Sequence, residues 1–418
     1  MDRVILHSDL NNFYASVECL YHPEIRNMPV VVGGDEEMRH GIVLAKNQIA
    51  KTYGIQTGEA LWQARQRCPG LVTVPANFKL YLKFSKLTRE IYSDYTDQFE
   101  PFGIDEGWLD VTGSTGLFGS GEKIANEIRK RVYEELGVTV SVGVSFNKIF
   151  AKLGSDMKKP DATTVISREN YKSMVWRLPV SELLYVGRAT TKKLKLMSIR
   201  TIGDLANSDP KLLQSSLGVI GLMLHRFANG QDNSPVAQKG AEAYIKSVGN
   251  STTAPRDLCT IDDIRTVLYM LSESVAARLR GHGLKCTGIQ IYVRDKDLFS
   301  CERQAQLPFP TFLTKEIADK AIDIFSTKYR MIKPLRSIGV RGINLVPEDS
   351  AYQLDLLTNH NMRDKFEKLE RTVDEIRERF GYKSIQRGII LKNKEFTDIS
   401  PKDDHVIHPV GYLSGKII

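Results

Sequence analysis

Ile104-Asp105-Glu106-Gly107-Trp108-Leu109-Asp110 decides how this 418-residue chain is read. The stretch is apolar enough for a buried strand, yet it holds two adjacent carboxylates, which are costly to bury without a neutralising cation. A third acid stands at the end of the first expected strand, where Val4-Ile5-Leu6-His7-Ser8 runs into Asp9. Three carboxylates from two strands suit a pair of Mg²⁺ ions, which prefer oxygen ligands and leave positions open for substrate phosphates. Neighbouring side chains on a strand point to opposite faces. Asp105 and Glu106 can therefore share a site only where the backbone bends, and Gly103 and Gly107 flank them. Ile104, Trp108 and Leu109 crowd the pair with apolar surface, which argues against an exposed acidic hairpin. The chemistry implied is nucleotidyl transfer.

Outward from this stretch, strand and helix signals alternate over the first ~165 residues, marked by period-two and period-3.6 patterns. Strands are expected at 4–9, 29–33, 41–45, 71–74, 99–104, 106–111 and 138–144, and helices at 12–21, 78–95 and 121–136. In the last helix Ile124, Ile128, Val132 and Leu136 recur every fourth position and mark a buried face. The pattern predicts an α+β sheet with helices on one side. Residues 177–232 read as mostly helical, and Gln231 to Tyr244 as a polar linker. Mixed structure returns over 245–346, with helices at 261–281 and 315–329 and strands at 285–294 and 335–345.

The chain is expected to form about three domains, on a prior of roughly 150 residues each. Five scattered cysteines (Cys19, Cys68, Cys259, Cys286 and Cys301) without a Cys-x-x-Cys pair argue for reduced thiols in a cytoplasm and against a zinc site. No apolar run approaches the ~20 residues that cross a bilayer, and no secretory signal is evident. The net charge of +8 is unevenly placed. Residues 1–176 hold 21 Lys/Arg against 22 Asp/Glu, residues 177–245 hold 9 against 5, and residues 246–341 hold 16 against 10. Positive charge thus collects after the acidic site, as it does when one part performs chemistry and others hold a polyanion.

At this level the chain resembles the Y-family translesion DNA polymerases of the DinB/UmuC type. The resemblance rests on Asp9-Leu10-Asn11-Asn12-Phe13-Tyr14-Ala15-Ser16-Val17-Glu18, on Ile104-Asp105-Glu106 with Leu109-Asp110, and on Ser141-Val142-Gly143-Val144-Ser145 leading to Asn147-Lys148. Ala151-Lys152-Leu153 and Asp156-Met157-Lys158-Lys159-Pro160 complete it. It implies a right-hand polymerase with a ferredoxin-like palm (1–23 and 76–166), small fingers (24–75), a helical thumb (167–233) with a helix-hairpin-helix, a linker (234–243) and an α/β little finger (244–346). A tail (347–418) follows. Asp9, Asp105, Glu106 and the Leu10 carbonyl are the implied ligands of two Mg²⁺ ions. The implied nucleotide contacts are Phe13, Tyr14, Gln48, Lys51 and Lys159. Tyr14 is the steric gate against a ribose 2′-hydroxyl, Phe13 and Val17 are expected in the core, and Lys159 faces the triphosphate. Gln48, Lys51 and Asn11 look like the UmuC branch, whereas the 156–160 motif looks like DinB.

Gly187 and Lys192, within a degenerate helix-hairpin-helix, and Lys246, Arg256, Arg294, Arg336 and Arg341 are the expected DNA contacts. Sparse aromatics there favour backbone binding over base reading. Gln353-Leu354-Asp355-Leu356-Leu357 resembles the bacterial sliding-clamp peptide, and 361–380 reads as an amphipathic helix. The expected activity is DNA-templated, low-fidelity synthesis across damaged bases by a cytoplasmic monomer without proofreading, using deoxynucleoside triphosphates and primer-template DNA. A sliding clamp and a recombinase filament are the protein partners considered. Gly33-Gly34-Asp35-Glu36-Glu37 imitates the signature of cyclic-dinucleotide synthases but follows a strand and reads as a turn. Such a synthase would leave the basic segments after the acidic site unexplained. A non-catalytic DNA binder would leave the three acids unexplained.

Overall fold

The computed structural model describes residues 2–34, 36, 39, 41–240, 244–353 and 360–392. The motif Gln353 to Leu357 lies outside these residues apart from Gln353. Two compact units emerge, one holding residues 2–34 and 42–240, the other residues 244–353 and 360–392.

The first unit opens with β1 (Ile5–Leu10), α1 (Phe13–Tyr21), β2 (Val30–Gly33), β3 (Val43–Lys46), α2 (Gln48–Thr52), α3 (Leu61–Arg67), β4 (Val72–Pro75) and α4 (Phe78–Ser93). It continues through β5 (Phe99–Pro101), β6 (Glu106–Asp110), α5 (Thr115–Phe118), α6 (Gly121–Leu136), β7 (Val140–Ser145), α7 (Lys148–Met157) and β8 (Thr163–Ile166). Five short helices follow: α8 (Tyr171–Val175), α9 (Arg188–Leu196), α10 (Ile202–Ala206), α11 (Pro210–Leu217) and α12 (Val219–Ala228).

Five strands form a sheet in the order β5-β6-β1-β7-β8. Central β1 pairs antiparallel with β6 and β7, and every one of its residues is buried. Leu6 and Leu10 pack with Tyr81 and Phe84 of α4 and with Ile124 and Ile128 of α6. Ile5 and Trp108 pack with Ala151 of α7. Helices therefore cover both faces, not the one side that the pattern predicts, and β1 is buried along its whole length, its polar His7, Ser8 and Asp9 included. Strand β8 escapes sequence reading because it is four residues long among polar neighbours. Helix α7 lies almost against β7: a methyl group on Gly143 would stand 1.9 Å from the Ala151 carbonyl oxygen.

A small sheet, β3-β2-β4, packs on a core of Val31, Val43, Ala50, Ile55, Leu61 and Ala64. Helices α8 to α12 close around Leu194, Ile202, Leu205, Leu213 and Leu224. The polar connector is strapped down at its start. Arg3 donates to the carbonyls of Ser234 (2.8 Å) and Asp232 (3.1 Å), and Glu100 accepts from the Ala237 amide at 3.0 Å. Val236, 4% exposed, joins Ile5 and Trp108 in one cluster.

The second unit contains β9 (Ser247–Leu258), α13 (Ile261–Gly281), β10 (Leu284–Asp295), β11 (Ser300–Thr311), α14 (Thr314–Lys328), β12 (Leu335–Pro347) and α15 (His360–Phe380). Its antiparallel sheet runs β11-β10-β12-β9. The two strands absent from the sequence reading, β9 and β11, are the edges, and they carry Pro255 and the pair Pro308 and Pro310. Proline is tolerated there because an edge strand has amides that need no ladder partner. Helices α13 and α14 cover one face around Leu268, Leu271, Ile289, Ile291 and Ile338.

Helix α15 coincides with the amphipathic stretch but docks the other way round. Its buried residues are Arg363, Glu370 and Arg377, whereas Phe366 and Leu369 of the apolar stripe are half exposed. Arg280 of α13 donates to Asp374 at 2.5 and 2.9 Å and pairs with Glu370 at 3.1 Å. Arg363 pairs with Glu316 of α14 at 2.7 Å, and Arg377 with Glu273 at 3.1 Å. A lattice of charge pairs, each ion satisfied by its neighbours, carries this interface.

Candidate active site

Strand register places the acids. Asp9 stands directly opposite Glu106 across the β1–β6 pair, so their side chains lie on one face. Asp105 belongs to the turn before β6, where the Leu10 amide donates to its carbonyl at 2.9 Å and the Phe102 amide donates to Glu106 at 3.0 Å. That turn is the bend that lets consecutive acids serve one site. Gly107 has a different duty: a side chain there would meet the Glu100 carbonyl and the Phe99 ring at 2.7 Å.

Helix α7 covers this face and presents Lys148, Lys152 and Ser155 at helical spacing, with Lys159 just beyond. The Lys152 ammonium lies 2.5 Å from Glu106, 3.1 Å from Asp9 and 3.2 Å from Asp156. Lys159 reaches Asp9 and Asp156, each at 2.7 Å. His7, fully buried, meets the Ser155 hydroxyl at 2.9 Å through Nδ1 and faces Glu106 through Nε2 at 3.6 Å. The Ser155 hydroxyl donates to the Lys152 carbonyl, which leaves it to accept from His7. Sequence reading placed weight on Lys159 and overlooked His7 and the central position of Lys152. The spacing 148, 152, 155 along one face of α7 is the signal that could have found Lys152.

Four carboxylates (Asp9, Asp105, Glu106 and Asp156) thus face two ammonium groups. Burial raises the Asp105 carboxyl, and the charge of Asp9 adds to the effect. Burial also pushes Glu106 up to about 7, with Lys152 opposing. Burial acts upward on Asp9 too, but Lys152 and Lys159 outweigh it and hold that carboxyl below its ordinary range. His7 falls well below its usual value through burial and then the nearby lysines, so its ring is neutral. The cluster is short of positive charge. Among the described residues no three His, Cys, Asp or Glu side chains already stand in a metal-ligating arrangement; lysine ammonium groups lie between the acids instead. An oxygen-only donor set with unmatched negative charge fits hard divalent cations.

Tyr14 stacks on Tyr81 with ring centres 4.3 Å apart and planes 8° from parallel. Burial and then the charge of Asp105 push its hydroxyl up to about 12, which locates the ring beside the acids. Phe13 is buried, as is Val17. Gln48 and exposed Lys51 sit on α2 beside the small sheet, and among the described residues no hydrogen bond or ion pair joins them to the acids.

Gly187 stands at the N-cap of α9, and it lines a groove of about 700 Å³ with Arg188, Lys192 and Lys195. In the second unit Gly249, Gln290, Tyr292 and Arg341 line a groove of about 390 Å³ on the sheet. Arg294 follows Tyr292 at a two-residue interval on β10, which puts it on the same face. Arg336 is partly buried, and Lys246 directly precedes β9. Arg256 departs from the expectation: it is held by Asp263 at 2.8 and 3.1 Å at the start of α13. Its guanidinium is therefore engaged within its own unit. No helix among the described residues is long and apolar enough to cross a membrane.

The chain matches the impB/mucB/samB family over residues 8–156 and that family's C-terminal domain over 245–356. It also matches the thumb domain of DNA polymerase-iota over 182–232. It is 57% identical over 394 residues to DNA polymerase IV of Acetivibrio thermocellus, covering 94% of this chain and 99% of that protein. It is 36% identical to DNA polymerase IV 1 of Bacillus subtilis, with 94% of each chain covered. A Y-family DNA polymerase chimera, Dbh-Dpo4(243-245)-Dbh, superposes with a TM-score of 0.73 at 24% identity, over 82% of this chain and 99% of the other; that likeness bears on the fold. The relatives are of the polymerase IV kind, so Asn11, Gln48 and Lys51 do not mark a UmuC-type chain. The chain belongs to the Y-family of bacterial translesion DNA polymerases, among the homologues of DNA polymerase IV.

Proposed function

We propose that this enzyme extends a primer across damaged template bases with two Mg²⁺ ions held by Asp9, Asp105, Glu106 and the Leu10 carbonyl. The observation that carries this reading is the unmatched negative charge where Asp9 and Glu106 meet across β1 and β6. When bound, divalent ions favour ionisation of the primer 3′-hydroxyl and neutralise charge on the triphosphate. Lys159, now paired with Asp9 and Asp156, exchanges those partners for triphosphate oxygens and balances charge that grows in the transition state. Lys152, which bridges Asp9 and Glu106, would give up those contacts where the two acids held divalent ions. Tyr14 lies beneath the sugar and excludes a 2′-hydroxyl, with buried Phe13 behind it. Gln48 and Lys51 meet the nucleotide from α2.

Backbone amides at the start of α9, beginning after Gly187, bind template-primer phosphate with Lys192. Lys246, Arg294, Arg336 and Arg341 hold the duplex backbone on the second unit, and the engaged Arg256 contributes least. Residues 1–23 and 76–166 serve as palm, 24–75 as fingers, 167–233 as thumb, 234–243 as linker and 244–346 as little finger. The segment from 347 carries the sliding-clamp peptide 353–357, and a recombinase filament is a second protein partner in the cytoplasm. Synthesis is of low fidelity and unaccompanied by proofreading.

Primer extension on intact and lesion-bearing templates tests the reading. The Asp105→Ala, Glu106→Ala double variant should abolish extension while retaining DNA binding. Undiminished extension by that variant would refute it.

A further inference from the structure

Two residues outside the acid cluster grip the Tyr14 ring. On α1, Tyr14 and Glu18 stand one turn apart and so share a face. From α4, Tyr81 reaches both: its ring stacks on Tyr14 at 4.3 Å and 8°, and its hydroxyl donates to Glu18 Oε1 at 2.5 Å. Tyr81 is fully buried and Glu18 is 4% exposed. Phe78 abuts Tyr14 edge-on at 5.9 Å and 89°, and Phe13 closes another side at 5.6 Å. Without the hydroxyl bond the Tyr81 ring could slide along Tyr14, since stacking is weakly directional in the ring plane. The bond to Glu18 removes that freedom and leaves Tyr14 one height and one tilt. A buried carboxylate needs such a donor in any case, but a serine or backbone amide would satisfy it without fixing a ring.

We propose that Tyr81, anchored by Glu18, sets the enzyme's selectivity between deoxyribose and ribose by holding the plane of the Tyr14 ring. Tyr81 is a positioning residue. The inference rests on the reading of Tyr14 as the steric gate. A 2′-hydroxyl is excluded only by an obstacle that does not yield, and sub-ångström retreat of the ring would admit it.

The test uses the full chain with primer-template DNA and Mg²⁺, and measures kcat/KM for a deoxynucleotide and the matching ribonucleotide. Tyr81→Leu should lower the preference for the deoxynucleotide roughly three- to tenfold, the scale on which an aromatic pair contributes, chiefly through better use of the ribonucleotide. Tyr81→Phe keeps the stack and loses the anchor to Glu18, and should lower the preference by at least about twofold, the low end of what one buried hydrogen bond contributes. Glu18→Gln preserves an acceptor and should match the wild type. Tyr14→Ala should raise ribonucleotide use by itself, and Tyr81→Leu should add nothing in that background.

If Tyr14→Ala shifts selectivity while Tyr81→Leu and Tyr81→Phe do not, the inference is overturned and the gate stands. If Tyr14→Ala has no effect, the gate falls and the inference with it. An additive effect of Tyr81→Leu on top of Tyr14→Ala also overturns it. Should Tyr81→Leu fail to fold, Tyr81→Phe decides alone. A merely structural role would change kcat or Tm and leave the sugar ratio where it was.

Discussion

Gly143→Ala should disable the enzyme from a position that touches neither nucleotide nor acid. The new methyl carbon would lie 1.9 Å from the Ala151 carbonyl oxygen and 2.5 Å from the Ser155 amide nitrogen, and real side-chain carbons are not found within 3.0 Å of such atoms. Both neighbours are backbone of α7, so no rotamer relieves the clash. The helix must therefore recede by about 1.1 Å, the difference between 3.0 and 1.9 Å. Lys152 and Ser155 travel with it. The Lys152 ammonium bridges Asp9 and Glu106 at 3.1 and 2.5 Å, and His7 is tied to Ser155. A misplacement near 1 Å costs on the order of 100-fold in rate where chemistry depends on alignment, and overpacking should cost about 1–3 kcal/mol of stability. Single-turnover primer extension measures the first quantity, and denaturant unfolding the second. Gly154→Ala serves as the graded control, since its methyl would stand 3.1 Å from the Gly143 Cα, and its losses should be smaller on both counts. A Gly143→Ala enzyme with a rate within threefold of wild type would refute the argument that α7 positions the site through this contact.

Three further outcomes are expected. In the metal-free protein Glu106 titrates at about 7, above its ordinary 4.5. A carboxyl whose folded value is raised stabilises the fold at pH below its unfolded value and loses that contribution as pH rises through the folded one. Urea unfolding in chelator should accordingly show the wild type losing more stability between pH 5 and pH 8 than Glu106→Gln does; equal losses would contradict the assignment. Arg280→Ala takes from Asp374 of α15 its Arg280 partner and leaves Glu370 with Thr314 and Arg387, and should destabilise the second unit by roughly 3 kcal/mol, whereas Phe366→Ser on the half-exposed stripe should cost far less; a reversed order in thermal unfolding would show that the apolar stripe holds the helix. Deleting residues 353–357 should abolish stimulation by a bacterial sliding clamp and leave basal primer extension intact, and equal loss of both would remove the clamp assignment.

The acids were legible in the sequence because burial makes charge conspicuous. Asp105-Glu106 inside an apolar run, with Asp9 at the end of another buried strand, calls for compensating positive charge whatever the fold, and the motif order adds the family. Strands and helices of the first unit were legible wherever period-two or period-3.6 patterning was strong. Edge strands β9 and β11 were not, because prolines and polar residues at an edge obey solvent on one side and carry little pattern.

What the amino-acid order determined by itself was chemistry: which side chains are expensive to bury, where the basic segments lie, and which helices have two unlike faces. What only the tertiary structure decided was partnership. Helix α7 lies across the second face of the sheet and carries Lys152 into the acids, Tyr81 reaches from α4 to grip Tyr14, and α15 turns its charged face inward. Each depends on residues tens to more than a hundred positions apart, and local patterning, whose reach is one or two turns, holds no record of which distant charge or ring will be met. Pairing energies between such groups decided the orientation, and they exist only once the chain has closed on itself.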